Sequence, residues 1–256
     1  MKSQDTEGPY ELYVTRTPGY LWAVLFNRLG VHPNVVTLTS YVLGIASGVL
    51  FYFDDLRLNI IGMFLLIWAN WYDCADGQLA RMSHKCSLIG RVLDGFGGDV
   101  WFFAIYVSIS LRLTPTWGIW IWLLCSLAGF YCHAHQAAVG DYYRNIHMFF
   151  ELGASRSELT TYKETKAKFE SLHWNRQEWF EKLYLFFYSR YTHGQESQTP
   201  EFQKFYSKLR SLYPDGNVPE DLRKNFRQES KPLMPMTNIL NFETRVIVLF
   251  LSLLGG

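Results

Sequence analysis

Nineteen consecutive residues, Val35–Phe53, contain no charged side chain, and this run constrains the fold more than any other part of the chain. As a helix rising 1.5 Å per residue it is long enough to cross a hydrocarbon core of about 30 Å. Three more apolar segments follow, Leu58–Tyr72, Val100–Leu111 and Trp117–Val139. The second and third spans are short unless their acidic ends are counted as membrane helix. Within the first, Gly44-x-x-x-Gly48 is a spacing that lets another helix pack closely, and one that two glycines reach as readily by chance. A last apolar segment, Val246–Gly256, is too short to cross a bilayer as a helix.

Apolar residues make up 49% of the chain and charged residues 18%, but they are unevenly spread. Residues 33–140 form the apolar core, residues 141–235 are polar and charged, and residues 236–256 begin a further span. The expected fold is therefore all-α, a polytopic helical membrane bundle with a cytoplasmic helical insertion at 141–235. Ahead of the core, residues 1–32 hold an aromatic, aliphatic and basic mixture. It starts near Pro9, is closed by Gly30 and Pro33, and reads as a helix in the membrane interface. Nothing near Met1 has the apolar run of a signal peptide. Arg81, Lys85 and Arg91 lie in the link between the second and third spans, and Lys2, Arg16 and Arg28 precede the first. By the positive-inside rule these mark the cytoplasmic side, and four spans return the insertion to it. Apolar residues in 141–235 recur at helical spacing, with turns near Gly153, Gln198–Pro200 and Pro214–Pro219. A net charge of +1 gives no electrostatic case for a nucleic-acid partner. The four cysteines show no C-x-x-C pattern and read as reduced thiols, and Cys132-His133-Ala-His135 fits no common zinc spacing.

The chemistry is concentrated in Asp73-Cys-Ala-Asp76-Gly77-Gln-Leu-Ala80-Arg81, followed by Gly90-Arg91-Val-Leu-Asp94 and Asp99. Asp73 and Asp76 lie three apart and so share one helix face. Gly90 and Asp94 lie four apart on the next. Two facing helices would then bring three or four carboxylates to one point, as in bundle metal sites. A charged side chain at the centre of a membrane helix costs about 2.5–3.5 kcal/mol on insertion scales, and clustered acids repel one another. Divalent cations resolve both costs, and an all-oxygen ligand set favours Mg²⁺ or Mn²⁺ over zinc. The plainer reading is that these acids simply end helices in the headgroup zone. It leaves Gly77, Gly90 and the clustering without a reason.

These residues resemble the signature of the CDP-alcohol phosphotransferases, D-x2-D-G-x2-A-R-x8-G-x3-D-x3-D, which Asp73, Asp76, Gly77, Ala80, Arg81, Gly90 and Asp94 match. Pro33-Asn34-Val-Val-Thr37 also resembles the family's entry into its first span. The resemblance implies six spans around a polar cavity, hence more chain after residue 256, and often a homodimer. It implies a two-metal phosphoryl transfer, with Asp73, Asp76, Asp94 and Asp99 as ligands and Asp99 as base beside Asp94. A CDP-linked donor would be held by Asp73, Gly77, Ala80, Arg81, Ser87, Gly90, Asn34 and Thr37, and the leaving group would be CMP. Arg91, His135 and Arg144 are candidates for binding the acceptor. One departure stands out: the family's last Asp falls here on Gly98, and the acid is Asp99. On a regular helix, position +5 lies about 140° from Asp94. A π-bulge in Gly95-Phe-Gly-Gly98 would return Asp99 to the site.

Two donor arrangements stay open. CDP-diacylglycerol would give a phosphatidyl group to a small polyol or polyol phosphate such as inositol phosphate. Alternatively, a CDP-aminoalcohol would give its head group to a diacylglycerol. Arg91 tilts the reading to the first. An inactive CDP-binding scaffold and an ion transporter are the rival classes, and the transporter would leave the signature's Gly and Arg positions coincidental.

Overall fold

The computed structural model describes residues 5–6, 8, 10–153 and 159–255. Pro9, where the sequence starts the first helix, lies outside the described residues, as does Gly256. A π-helical turn, Glu11–Arg16, leads into α1 (Thr17–Arg28), α2 (Pro33–Phe51), α3 (Leu56–Met82), α4 (Leu88–Trp117) and α5 (Trp120–Ser126). A second π-helical stretch, Leu127–His133, joins α5 to α6 (Ala134–Leu152). There follow α7 (Tyr162–Ser171), α8 (Trp179–Ser197), α9 (Pro200–Leu212), α10 (Glu220–Ser230), α11 (Met234–Ile239) and α12 (Phe242–Gly255). The described residues contain no strand, and the fold is an all-α membrane bundle. Among the described residues, four helical stretches are long and apolar enough to cross a membrane: Pro33–Phe51, Leu56–Met82, Leu88–Trp117 and Glu220–Gly255.

Local chemistry sets these boundaries. Pro33 occupies the first turn of α2 behind His32, whose ring nitrogen accepts from the Asn34 N–H. Asp55 caps α3 by accepting from the Arg57 and Leu58 N–H groups, and Ser87 caps α4 by accepting from Gly90 N–H at 3.0 Å. Both helices run straight through the acids, so α3 and α4 are far longer than the apolar runs Leu58–Tyr72 and Val100–Leu111. Gly118, at φ +60°, stops α4. The apolar run Trp117–Val139 is thus divided among the end of α4, a seven-residue α5, the π-helical stretch and the start of α6. It is not one of the four long apolar helices.

The chain divides into two compact units, Pro9–His135 with Phe242–Gly256, and Met1–Gly8 with Gln136–Asn241. In the first, Phe51, Leu66, Trp101, Phe102 and Ile105 form the core, and Val246 of α12 packs into it. The two glycines of α2 are the contact points with α4. A Cβ on Gly44 would run into the Trp101 indole, and one on Gly48 would lie 2.9 Å from the Ala104 carbonyl carbon. Gly44→Ala should therefore overpack this seam and destabilise the unit by about 1–3 kcal/mol, read as a lower unfolding temperature in detergent. An unchanged unfolding temperature would show that the seam is loose.

In the second unit, helix ends fall at Gly153, Gln198–Thr199 and the turn 213–219. Tyr142, Ile146, Phe149 and Phe150 of α6 form its core with Tyr206, Leu209 and Val218. Beside this core, buried His147 sets Nδ1 2.8 Å from Ser230 Oγ and Nε2 3.5 Å from Asp5. Arg227 and Lys231 bond the Asp5 carboxylate at 2.6 and 2.8 Å. Burial alone would raise the Asp5 pKa, but these two cations hold it well below the carboxylate range. Burial lowers the His147 pKa against the pull of Glu151 and Asp5. A lowered histidine contributes stability that is complete above its unfolded value of 6.5 and is lost as pH falls through the folded value. Amide protection in α6 should thus be flat above pH 6.5 and fall below it. In His147→Gln the fall should wait until the unit's carboxylates protonate, Glu164 below 4.5 and Asp5 below 3.8. Identical profiles for the two proteins would rule out His147 as the cause.

Candidate active site

The candidate side chains sit on the α3–α4 hairpin and on the face of α2 that packs against it. Asp73 and Asp76 lie in the last turns of α3, and Asp94 in the second turn of α4. Each offers a carboxylate oxygen within 4.8 Å of the other two. Their environments differ: Asp76 is 3% exposed, Asp73 is half-buried and Asp94 is exposed. The Thr37 hydroxyl of α2 is the hydrogen-bonding neighbour of Asp76, while Asp76 Oδ2 is buried with no hydrogen-bond partner. A buried, orphaned carboxylate oxygen carries a full desolvation cost. Two further carboxylates beside it add repulsion. The residues present therefore fit a divalent cation with hard oxygen ligands.

Glycines shape the space around the acids. A Cβ on Gly97 of α4 would lie 2.7 Å from Asp73 Oδ1, so only glycine there lets that carboxylate stand against α4. Around a Cβ at Gly77 the nearest atom is the Arg81 guanidinium at 3.8 Å, and the helix surface is otherwise open. Ala80 continues that surface, half-buried, one turn on. Gly90 brings two polar side chains together: a Cβ there would lie 3.0 Å from Asn34 Oδ1 and 3.1 Å from Ser87 Oγ. Asn34 and Ser87 stand at the amino-terminal ends of α2 and α4, where free N–H groups favour phosphate. Arg81, exposed, is within electrostatic reach of Asp76.

Asp99 stands outside the group of three. The π-bulge expected at 95–98 is absent, because α4 keeps α-helical geometry from Leu88 to Trp117. A regular helix turns position +5 about 140° from Asp94. Asp99 is instead within electrostatic reach of Arg245 on α12. Of the acceptor candidates, Arg91 is exposed in the first turn of α4, and His135 stacks on Tyr131 with ring centroids 5.5 Å apart. Arg144 belongs to the second unit, where it donates to Asn238 at 2.7 Å.

Two residues are absent from the sequence-based candidates. Tyr41 donates from its hydroxyl to the Leu93 carbonyl of α4 and is within electrostatic reach of Asp73, Asp76, Asp94 and Asp99. Its signal was the spacing Asn34, Thr37, Tyr41, which is one face of α2. Arg245, 3.4 Å from the His133 ring, was signalled by a lone cation in an apolar run.

The family model for CDP-alcohol phosphatidyltransferase matches residues 30–149. Among curated proteins, the bifunctional IPC transferase and DIPP synthase of Aquifex aeolicus (strain VF5) is 28% identical over 97 residues. The match covers 38% of this chain and only 22% of the relative's length. No solved structure matches the chain.

Proposed function

We propose that this chain, whose residues 30–149 match the family model for CDP-alcohol phosphatidyltransferase, is a membrane transferase of phospholipid synthesis that releases CMP from a CDP-linked donor. The observation that carries the reading is the convergence of Asp73, Asp76 and Asp94 within 4.8 Å, one of them with an orphaned buried oxygen.

Asp73, Asp76 and Asp94 would hold Mg²⁺ or Mn²⁺. Bound there, the cations would supply Lewis-acid neutralisation of pyrophosphate charge. The chain's own groups do the rest. The open surface at Gly77 and Ala80 admits the cytidine and phosphates against α3, and Arg81 offsets phosphate charge. Asn34 and Ser87 present polar atoms at two helix starts beside Gly90. Thr37 fixes the Asp76 carboxylate. Asp99 stands apart from the three acids, within electrostatic reach of Arg245, so the proton of the acceptor hydroxyl falls to Asp94, the exposed acid of the group, and the hydroxyl oxygen then attacks the β-phosphorus in line with the departing CMP. Exposed Arg91 favours an anionic acceptor, so the reading is phosphatidyl transfer from CDP-diacylglycerol to a polyol phosphate. The basic hairpin residues Arg81, Lys85 and Arg91 favour the cytoplasmic side for this end of the bundle.

The test is CMP release by the full chain in lipid nanodiscs. CDP-diacylglycerol with a polyol phosphate is compared with CDP-choline or CDP-ethanolamine and diacylglycerol. Release with the first pair, abolished by EDTA and restored by Mg²⁺ or Mn²⁺, is the expected result. Release only with the second pair reverses the substrate assignment, and release with neither overturns the transferase. Asp99→Asn should leave the rate within about tenfold of the parent, because a regular α4 turns Asp99 from the three acids. A loss of about 10²–10⁴-fold, the range of a lost general base, with the acidic limb of the pH–rate profile gone, would return the base role to Asp99.

A further inference from the structure

Helix α8 is built inside out. Its buried residues are Leu185, Ser189, Thr192 and Gln195, three of them polar. Trp179, Leu183, Phe187 and Tyr191 are exposed, by 49, 37, 55 and 40%. Steps of four residues keep those exposed side chains within an arc of ~120°, on the side opposite the buried row. A helix whose outer face meets water shows the reverse arrangement.

The charges follow the same division. Glu181 turns to Lys168 at 2.8 Å, and Glu196 accepts from the Tyr162 N–H at 2.8 Å. Glu178, just ahead of the helix, accepts from the His173 N–H at 2.7 Å. All three acids therefore point away from the aromatic face. The charge on that face is Arg190, exposed and stacked over Phe186 at 3.8 Å from the ring centroid. Exposed Arg176 and Trp174, which is 63% exposed, lie just before the helix.

We infer that the outer face of α8 is a lipid-docking surface, one that seats at the headgroup–acyl boundary of a bilayer. Trp and Tyr prefer that boundary, and cations flanking an apolar face complement anionic headgroups. A second copy of the chain is a poorer occupant. Pairing the face with itself would enclose Arg190 in an interface whose acids all point away from it, leaving its charge with no acid to offset it. The surface is independent of the transferase site and stands whatever that site does.

The test is spin-label accessibility in the full chain, reconstituted in nanodiscs containing anionic lipid, with the four native cysteines replaced by serine. Labels at Phe187→Cys and Leu183→Cys should collide with oxygen in preference to a water-soluble nickel chelate. Their accessibility ratio should be several-fold above that of Lys166→Cys on exposed α7. Ratios equal to the Lys166 control overturn the inference in favour of a water-facing helix, and dipolar broadening between copies overturns it in favour of self-association. In the native-cysteine chain, Trp179→Phe should lower the fraction of tryptophan emission quenched by brominated lipid. An unchanged fraction also overturns it.

Discussion

Asp76→Asn should lower CMP release by about 10²–10³-fold, the scale seen when one preorganised electrostatic group is removed from an active site, while leaving the bundle as stable as before or more so. The two halves of that result come from one feature. Asp76 is 3% exposed with one oxygen lacking a partner, and it shares its space with Asp73 and Asp94. In the free protein its charge is a cost, and asparagine keeps the shape while removing the repulsion. A catalytic group that opposes stability is the signature of a built site. Turnover and the unfolding temperature in EDTA, measured on the same preparation, decide it. Activity within tenfold of the parent would remove Asp76 from the machinery. Lost activity with a collapsed unfolding temperature would make it a structural residue.

Gly97→Ala should reduce activity by about 10²-fold, whereas Gly98→Ala should leave it nearly unchanged. The neighbouring glycines differ in what stands beside them. A Cβ at position 97 meets Asp73 Oδ1 at 2.7 Å, and one at position 98 meets nothing within 4 Å. Alanine favours helix at both positions, so neither change should unfold α4. What moves at 97 is the Asp73 carboxylate, and a displacement of about 1 Å in a positioning group costs on the order of 10²-fold. Equal activities for the two variants would show that Asp73 has room to retreat.

Asp73, Asp76 and Asp94 are legible in the amino-acid sequence. Spacings of three on one helix and four on the next are geometric statements, and the convergence of the three carboxylates follows from them. Helix class and the packing role of Gly44 and Gly48 are readable for the same reason, since composition and period act locally. Asp99 is not. Its position depends on whether α4 absorbs one extra residue, and three glycines permit a bulge without requiring one. The division of Trp117–Val139 is hidden as well. Hydropathy reports a continuous apolar run, while the break rests on the positive φ of Gly118 and the widened turns after it. Tyr41 and Arg245 stay out of view because each acts across a helix contact that only the fold creates.

Helices α3 and α4, at 27 and 30 residues, would extend about 40 and 45 Å, against a hydrocarbon thickness of about 30 Å. The surplus length is a hydrophobic mismatch, met by tilt or by protrusion. Asp76 lies six residues before the end of α3, and Asp94 six residues after the start of α4, so both occupy the hairpin's projecting end. Any protrusion there would raise the carboxylates to the depth of lipid phosphates. A donor with two acyl chains would then reach them by lateral diffusion in its own leaflet, with its tails still dissolved in the bilayer.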